Sequence, residues 1–503
     1  MEENQEPLLS NDFNYLKESQ ILEANKLLES GGDLSPINGV HDLFRELYLE
    51  SKKLWYLAAP AVFTSLCQYT IGAITQMFAG HLGNLPLAAV SVENGVIAAF
   101  GFGILMGLGS ALETLCGQAY GANQFGVLGI YLQRSWIILI TAALPIMPFF
   151  IFATPLLKFL GQKSTIAEEA GKLALWMIPQ QFAYTLIIPL SKFLQAQSKV
   201  MEMAIIAAIA LCFHSLLSWV LIMKMGLGLF GAALVLNGSW WFMTLAQFLF
   251  VIAGFCGDSW SGFSWNSLAN LLEFVKLSIS SAIMLCLQIW YTIALILVAG
   301  HLKNAEVSVD ALSICMNILG WSSTVGMGLN VAISVRVSNE LGSKHPRAAR
   351  FSVMVVAMAS LLLGLLFAMA LLVEKSRYPA LFSSSNEVKQ LVQHLTPLLS
   401  LTVILSCIQN TLSGVAIGAG WQKFVACLNS GCYFLFGVPF GILLCFKFDM
   451  GVKGLWYGMV LGLLLQSVAL FWVICITNWN KEASSAEDRL KLWGGSDSNQ
   501  SQQ

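Results

Sequence analysis

Charged side chains are scarce in this sequence. Of its 503 residues, 27 are basic and 28 are acidic, or 11% together, whereas a soluble domain carries about 25% charged residues. Residues 1–53 hold 16 of these 55 charges and residues 481–503 hold 7, which leaves 32 for the 427 residues between them. So few charges cannot give a globule a polar surface, and 56% of the chain is hydrophobic. The composition therefore excludes a soluble globular protein.

The sequence also lacks an excess of basic charge and the patterns of a cysteine-based site. The formal net charge is −1, which argues against a protein that neutralises nucleic-acid phosphates. The 11 cysteines are scattered singly, without a C-x-x-C pair, and this favours small residues at helix contacts over disulfides or a metal site. Residues 1–53 contain no apolar stretch typical of a cleavable signal peptide. We expect no nucleic-acid partner, no metal and no cofactor.

Signatures of soluble enzymes are missing as well. The chain has no P-loop, no H-E-x-x-H and no G-x-S-x-G. Without a nucleotide-binding loop an ATP-driven pump is not expected. The sequence therefore predicts a protein that is not an enzyme, and any driving force should come from an ion gradient or from the solute itself.

Long apolar runs dominate the rest of the chain. A helix needs about 20 apolar residues to cross the hydrocarbon layer, and alternation typical of a β-barrel strand does not occur over a useful length. The sequence predicts an all-α polytopic membrane protein with twelve transmembrane helices, near residues 54–78, 88–113, 127–153, 173–193, 203–223, 231–255, 271–299, 309–336, 352–373, 391–417, 424–446 and 455–477.

The two halves of the chain repeat one another. Residues 79–84 read Ala-Gly-His-Leu-Gly-Asn and residues 299–304 read Ala-Gly-His-Leu-Lys-Asn, at an offset of 220. Gly107-Leu-Gly109 recurs as Gly326-Met-Gly328 at an offset of 219. Two parallel copies of six helices predict two lobes with pseudo-twofold symmetry along the membrane normal, an architecture that supports alternating access. Repetition of this kind favours a transporter over a channel or a receptor.

The repeat and the span pattern divide the chain into four parts. We predict a disordered cytosolic tail at 1–44, an N-lobe with helices 1–6 at 45–256, a C-lobe with helices 7–12 at 257–480, and a cytosolic tail at 481–503. An even number of spans places both tails on one side of the membrane. That side carries 17 of the 27 Lys and Arg residues, so the positive-inside rule makes it cytosolic.

Three ionisable residues inside the spans are candidates for proton coupling, since charges held within a membrane are generally functional. Glu93 lies in the second span and is either desolvated or wetted near its outer end. Glu113, at the inner end of that span, either carries protons or binds backbone N–H groups or Arg134. His214, in the fifth span, either titrates near neutral pH or is a packing residue. Arg336 and Glu340 are expected to form an interface pair.

Polar and aromatic residues within the spans are candidates for substrate binding. Gln68 and Gln288 occupy equivalent positions in spans one and seven, so they either face one cleft or bond neighbouring helices. Pro60 and Pro189 are predicted hinges, and Pro179 is a further candidate for a bend. The remaining candidates for contact with a flat organic solute are Asn94, Trp290, Tyr291, Asn317, Ser406, Gln409 and Asn410.

Four segments have the character of signature sequences: Glu113-Thr-Leu-Cys-Gly-Gln-Ala-Tyr-Gly-Ala122, Phe193-Leu-Gln-Ala-Gln-Ser198, Ser334-Val-Arg-Val-Ser-Asn-Glu-Leu-Gly342 and Gly418-Ala-Gly-Trp-Gln-Lys423. They resemble segments of the plant multidrug and toxic compound extrusion (MATE) transporters, the detoxification protein family. The likeness runs from about residue 45 to residue 480. It implies twelve helices in two lobes around a V-shaped cavity, and export of xenobiotics, alkaloids or flavonoid-like metabolites in exchange for protons.

The sequence departs from this family at the expected coupling positions. Where many plant members have Glu, this chain has Gln288, and where some have Asp it has Ser406. Thr75 stands where bacterial relatives often have Asp, and Glu93 stands where many plant members have Gly. A neutral amide cannot carry a proton, so Glu93 is the candidate replacement carboxylate.

Three hypotheses follow. The first is an antiporter that exports organic solutes against protons, with membrane lipid as its surroundings and a monomer as its working unit. The second is an uncoupled facilitator with the same fold. The third is a lipid-linked substrate flippase, which the few basic residues in mid-span disfavour. Glu23-Ala-Asn-Lys-Leu27-Leu28 matches an acidic dileucine signal and fits the vacuolar membrane, although the plasma membrane stays an alternative.

Overall fold

The chain folds into long helices. A computed structural model describes residues 32–269, 271–299, 305–383 and 385–492. Within them, eleven helices are long and apolar enough to cross a membrane, and two helices joined at a 50° bend make a twelfth span. The all-α prediction with twelve spans is confirmed. We number the spans α1 (Val40–Leu82), α2 (Asn84–Gly121), α3 (Phe125–Ile151), α4 (Ser164–Trp176 with Ile178–Ala196), α5 (Val200–Lys224), α6 (Gly228–Phe255), α7 (Leu271–Ala299), α8 (Ala305–Gly342), α9 (Pro346–Val373), α10 (Asn386–Ala419), α11 (Gln422–Lys447) and α12 (Gly451–Ile476).

Shorter elements complete the description. A helix at Ala153–Phe159 links α3 to α4, and a further helix, α13 (Trp479–Leu492), follows the last span. Wider π-helical turns lie at Glu93–Ala98, Trp219–Lys224, Val251–Phe255, Ser430–Gly437 and Leu443–Lys447, and 3-10 turns lie at Gly257–Ser259, Trp265–Leu268 and Tyr378–Leu381. The turns Trp219–Lys224 and Leu443–Lys447 end the equivalent spans α5 and α11, so the repeat extends to local helix geometry.

The outer surface of the bundle is apolar. On α9, for example, the side chains of Leu362, Leu366 and Val373 are 62%, 64% and 75% exposed. Side chains of this kind cannot face water over a whole helix without a large free-energy cost, whereas lipid solvates them. The exposed faces therefore fit a multi-pass protein that is embedded in a bilayer.

The helices form two lobes with matching internal contacts. In the N-lobe α1 packs on α5, α2 packs on α3 and α4, and α6 packs on α4 and α5. In the C-lobe α7 packs on α11, α8 packs on α9 and α10, and α12 packs on α10 and α11. Every packed pair of helices in the N-lobe therefore corresponds to a pair in the C-lobe whose helix numbers are higher by six. The lobes meet through α1 with α8 and through α2 with α7 and α8.

Both described ends of the chain lie on one side of the bundle, which we call the tail side. The carboxylate of Asp33, before α1, accepts a hydrogen bond from the backbone N–H of Ala348 at 3.0 Å. Helix α13 packs on the start of α9 and on α8. The even number of spans predicted this arrangement.

Helix bounds differ from the predicted ones near both ends of the described chain. Helix α1 begins at Val40, inside the segment predicted as a disordered tail, and α13 occupies part of the predicted C-terminal tail. The bend in α4 lies at Met177, two residues before Pro179, and Pro179 is in the first turn of the second segment. A proline has no backbone N–H with which to continue the preceding helix, and it loses no bond in a first turn. Pro60 and Pro189 lie inside helical segments.

The tail-side ends of α2 and α8 cross at two glycines. A Cβ on Gly121 would lie 1.9 Å from the carbonyl oxygen of Asn339, and a Cβ on Gly342 would lie 2.1 Å from that of Gln118. Gly121 and Gly342 are equivalent in the two repeats, as are Gln118 and Asn339. Each glycine thus receives the backbone of the opposite lobe at the same place, so the crossing lies on the pseudo-twofold axis and closes the tail side.

Alanine at Gly121 should separate the two lobes. The added methyl group would overlap the Asn339 carbonyl, and overpacking of this kind costs about 1–3 kcal/mol. We expect Gly121→Ala to lower the thermal unfolding midpoint in detergent, and Gly342→Ala to do the same. Gly126→Ala is the control, because nothing lies within 4 Å of its Cβ position. Equal midpoints for Gly121→Ala and Gly126→Ala would contradict the close crossing.

Candidate transport site

Glu93 is buried in the N-lobe. It begins the π-helical turn Glu93–Ala98 of α2, and its side chain is only 1% exposed. Neither carboxylate oxygen has a hydrogen-bond partner among the described residues. Of the two alternatives for this residue, the structure favours the desolvated one. π-helical turns often mark functional positions in helices.

His214 lies in the centre of the N-lobe, fully buried. Its Nε2 is 3.1 Å from the Thr75 hydroxyl of α1, and its Nδ1 is 2.8 Å from the Ser239 hydroxyl of α6. Each hydroxyl also lies within hydrogen-bond distance of a backbone carbonyl one turn earlier, that of Ile71 or Val235. The ring therefore ties three helices together, and both of its nitrogens are satisfied.

Glu113 forms a buried ion pair with Lys192. The two side chains are 1% and 7% exposed, and the Lys192 Nζ lies 2.6 Å from Oε2 of Glu113. Of the alternatives predicted for Glu113, the bond to Arg134 is wrong. That guanidinium donates to the carbonyl of Asn266 at 3.3 Å and lies over the Tyr131 ring. Breaking a buried ion pair by removing one partner is costly, so Glu113 is held in place by α4.

A second buried ionic cluster joins the lobes on the tail side. Arg336 of α8 donates to Glu50 of α1, with Nε–Oε1 and Nη2–Oε2 distances of 2.9 and 3.0 Å. Its Nη1 also lies 2.8 Å from Oε1 of Glu340, which confirms the predicted pair of Arg336 with Glu340. Ser352 of α9 donates to Glu50 at 2.5 Å. The predicted pair is thus part of a larger contact between α1, α8 and α9.

Amides and hydroxyls of the C-lobe form a chain between α7 and α10. Gln288 donates to the side-chain oxygen of Gln409 at 3.3 Å, and Gln409 donates to Ser413 at 3.0 Å. Asn330 of α8 donates to the backbone carbonyl of Asn410 at 2.7 Å. The structure therefore brings three predicted site residues, Gln288, Gln409 and Asn410, to one place where α7, α8 and α10 meet.

The other predicted substrate residues are dispersed. Ser406 is buried on α10, Gln68 and Asn94 are half-buried on α1 and α2, and Asn317 is exposed on α8. Tyr291 is buried; its ring stacks on Tyr433 at 4.5 Å between centroids and its hydroxyl donates to the Gly458 carbonyl. Its surroundings are the interior of the C-lobe, which is typical of a packing residue. Tyr291 therefore has little free surface for a substrate.

A cavity of about 410 Å³ opens in the seam between α2 and α7. Its wall is almost wholly apolar and contains Gly95, Phe100, Gly103, Phe149, Ile289 and Trp290. In the equivalent seam between α1 and α8, Tyr69 and Trp321 occupy the positions that correspond to Ile289 and Phe100. Their rings touch edge to face, with centroids 4.7 Å apart. One seam therefore contains an aromatic pair, and the other contains a cavity.

Two equivalent amides reinforce the tail-side crossing. Gln118 of α2 donates from Nε2 to the carbonyl of Gly418 at 3.1 Å, and Asn339 of α8 donates from Nδ2 to the carbonyl of Ala196 at 3.2 Å. The two acceptors lie in the last turns of α4 and α10, which are equivalent helices in the repeat. Nearby, the Thr114 hydroxyl donates to the Ile417 carbonyl. We call these contacts the tail-side gate: Thr114, Gln118 and Gly121 with Ile417 and Gly418, and Asn339 and Gly342 with Ala196.

The sequence did not identify the gate as a site. All four signature segments contribute to it, yet none of the gate residues was among the predicted site residues. The offset of 221 between Gln118 and Asn339 was a usable signal, because two polar amides at equivalent helix ends suggest equivalent partners. Lys192 was missed because no local pattern links it to Glu113.

Comparisons with known proteins agree with this architecture. The MatE family model matches residues 60–220 and 280–443. Protein DETOXIFICATION 29 from Arabidopsis thaliana is 54% identical over 463 residues, which are 92% of this chain and 93% of that protein. Protein DETOXIFICATION 31 from the same plant is 55% identical over 92% of this chain and 89% of its own length.

Solved structures give the same result. The crystal structure of the eukaryotic MATE transporter AtDTX14 superposes with a TM-score of 0.84 and 35% sequence identity, covering 88% of this chain and 99% of that one. The Vibrio cholerae MATE transporter VcmN in its bent form shares the fold with a TM-score of 0.75 at 19% identity, over 88% of this chain and 99% of that one. Fold, family model and plant relatives therefore establish that this chain belongs to the MatE family, as a multi-pass membrane transporter of organic solutes and not an enzyme.

Proposed function

We propose that this transporter exports organic solutes from the cytosol in exchange for protons, and that Glu93 is the proton-coupling residue. The observation that carries the proposal is the burial of Glu93 without a hydrogen-bond partner among the described residues. An unpaired carboxylate charge in such a place is expensive, and a proton or a cationic solute removes that cost. A single group that is neutralised by either of two ions provides the competition on which antiport depends.

The C-lobe supports this assignment because neither of the two coupling positions implied by the family resemblance holds an ionisable residue. Gln288 and Ser406 cannot carry protons, and Gln288 is engaged with Gln409. Glu113 is paired with Lys192 and His214 has a hydroxyl at each ring nitrogen. Glu93 is thus the carboxylate in the described spans whose environment best suits exchange, and coupling is proposed for the N-lobe alone.

The substrates that we propose are flat, largely apolar molecules such as xenobiotics, flavonoids, alkaloids or other organic cations. The seam cavity, with Phe100, Phe149 and Trp290 in its wall, offers stacking surfaces for such rings. In alternating access, rocking of the two lobes would open the binding site first to one side of the membrane and then to the other. We propose that the tail side is the cytosolic side. We also propose that the protein works as a monomer in the vacuolar membrane or the plasma membrane.

An uncoupled facilitator is the second candidate function, and the neutral residues Gln288 and Ser406 favour it. A facilitator would let solute equilibrate without accumulation. Proteoliposomes with an imposed pH gradient separate the two candidates, because only the antiporter accumulates solute above equilibrium.

Glu93→Gln should lower accumulation driven by the pH gradient by about tenfold or more, because the amide cannot take a proton. Equilibrium exchange of the same solute should persist. Uptake of a fluorescent organic cation into proteoliposomes, with and without the gradient, measures both. Glu273→Gln is the control, since that carboxylate is exposed and pairs with Lys276 at the start of α7. Wild-type accumulation by Glu93→Gln would refute the assignment.

His214→Asn should retain gradient-driven accumulation within about twofold, because in this proposal the histidine ties helices and carries no protons. His214→Phe should lower the thermal unfolding midpoint, since two hydroxyls lose their partner. The same uptake assay and a detergent thermal melt provide the measurements. Loss of accumulation in a well-folded His214→Asn protein would transfer the coupling role from Glu93 to the histidine.

A further inference from the structure

Helix α13 joins the two lobes at the tail-side gate. Trp479, Ala483 and Ala486 belong to a buried cluster that also contains residues of α8, α9 and α10. Leu490, in the last turn, packs instead into the main buried cluster of the N-lobe. That first cluster also includes residues of α1 and α5, but α13 packs mainly on α8 and α9 of the C-lobe, and its final turn reaches across to the N-lobe.

Arg489 makes the polar contact of that final turn. Its Nη1 donates to Oε1 of Gln118 at 3.1 Å, and the side chain is largely buried. The guanidinium lies against Gly420, where a Cβ would come within 2.5 Å of Nη1. Gly420 has a φ of 81°, which suits glycine, and it ends α10. A residue without a side chain thus leaves the space in which Arg489 lies.

The contact fixes the orientation of the gate amide. A guanidinium only donates hydrogen bonds, so it binds the oxygen of the Gln118 amide and turns the NH2 group toward the Gly418 carbonyl. The equivalent amide, Asn339, has no such support, because its Oδ1 has no hydrogen-bond partner among the described residues. The C-terminal helix thus gives one half of the gate a support that the repeat does not supply.

Further contacts hold α13 to the C-lobe. Trp421 donates from Nε1 to Glu482 at 3.0 Å, and Lys344 pairs with Glu487 at 2.9 Å. Hydrogen bonds from Lys344 and Lys491 lower the pKa of Glu487, so this carboxylate stays ionised at neutral pH. When the tail side opens, these contacts can move with the C-lobe, whereas those of Arg489 and Leu490 with the N-lobe must break.

We propose that Arg489 is a positioning residue for the transport cycle: it orients Gln118 and, together with Leu490, latches the tail-side gate shut. The inference rests on alternating access as part of the proposed function, but it is independent of proton coupling. Release of the latch would raise the population of the tail-side-open state and leave the seam cavity and Glu93 untouched.

Spin labels test the latch directly. Labels at Asn123 and Arg347, which are exposed at the tail-side ends of the two lobes, report gate opening as an increased distance. The three exposed cysteines Cys212, Cys427 and Cys475 are replaced by serine in the full-length chain. Loss of a hydrogen bond to a charged group should raise the open population of Arg489→Ala by about tenfold. Arg489→Lys should give a smaller increase because it keeps one donor.

Neighbouring positions on α13 supply matched controls. Lys491 is an exposed residue that pairs with Glu487, and Leu492 is 62% exposed. Lys491→Ala and Leu492→Ala should leave the distance distribution unchanged, whereas Arg489→Ala and Leu490→Ala should shift it. A thermal melt of each variant confirms that it is folded. An unchanged distribution in folded Arg489→Ala, or an equal shift in Lys491→Ala, would overturn the proposal.

Equilibrium exchange of solute separates this proposal from the previous one. Because exchange needs no pH gradient, it reports the gate even if Glu93 proves not to couple protons. We expect Arg489→Ala to change the exchange rate several-fold while the pH-gradient response follows Glu93 alone. An unchanged exchange rate together with an unchanged distance distribution would assign α13 a purely structural role.

Discussion

The close crossing of α2 and α8 is the contact on which the rest of the tail side depends. It exists because the repeat places a glycine at Gly121 and another at Gly342, so that each lobe accepts the other's backbone. The amides of Gln118 and Asn339 can donate to the opposite lobe only at this separation. The ion pair of Arg336 with Glu50, the gate and α13 all lie around the same crossing.

Much of the fold could be predicted from the sequence, because it follows from two simple constraints. A bilayer requires apolar helices of a certain length, and the repeat requires equal lobes. The prediction failed where structure depends on contacts between distant segments. The partner of Glu113 is Lys192 on α4. Arg134, which is closer to Glu113 in the sequence, bonds to a loop carbonyl instead. Likewise, α13 has few apolar residues, so no span-based criterion could indicate that it reaches the gate.

The candidate site was predicted in part. Burial of Glu93 was one of the two alternatives that its position within a span left open, and the meeting of Gln288 with Gln409 and Asn410 places three predicted residues together. Tyr291 shows the limit of such inference, because an aromatic residue beside a cleft and one inside a lobe have the same sequence context. Its stacking on Tyr433 depends on α11, which is remote in the chain.

The unequal seams have a mechanical consequence. Tyr69 and Trp321 touch edge to face between α1 and α8, whereas about 410 Å³ of space lies beside α2 and α7. Side chains in contact resist compression, whereas the wall of a cavity can yield. Two lobes of equal construction would then move unequally, with the larger change at the cavity between α2 and α7. The repeat accounts for the twofold symmetry of this protein, and a few side chains in the two seams make its two sides different.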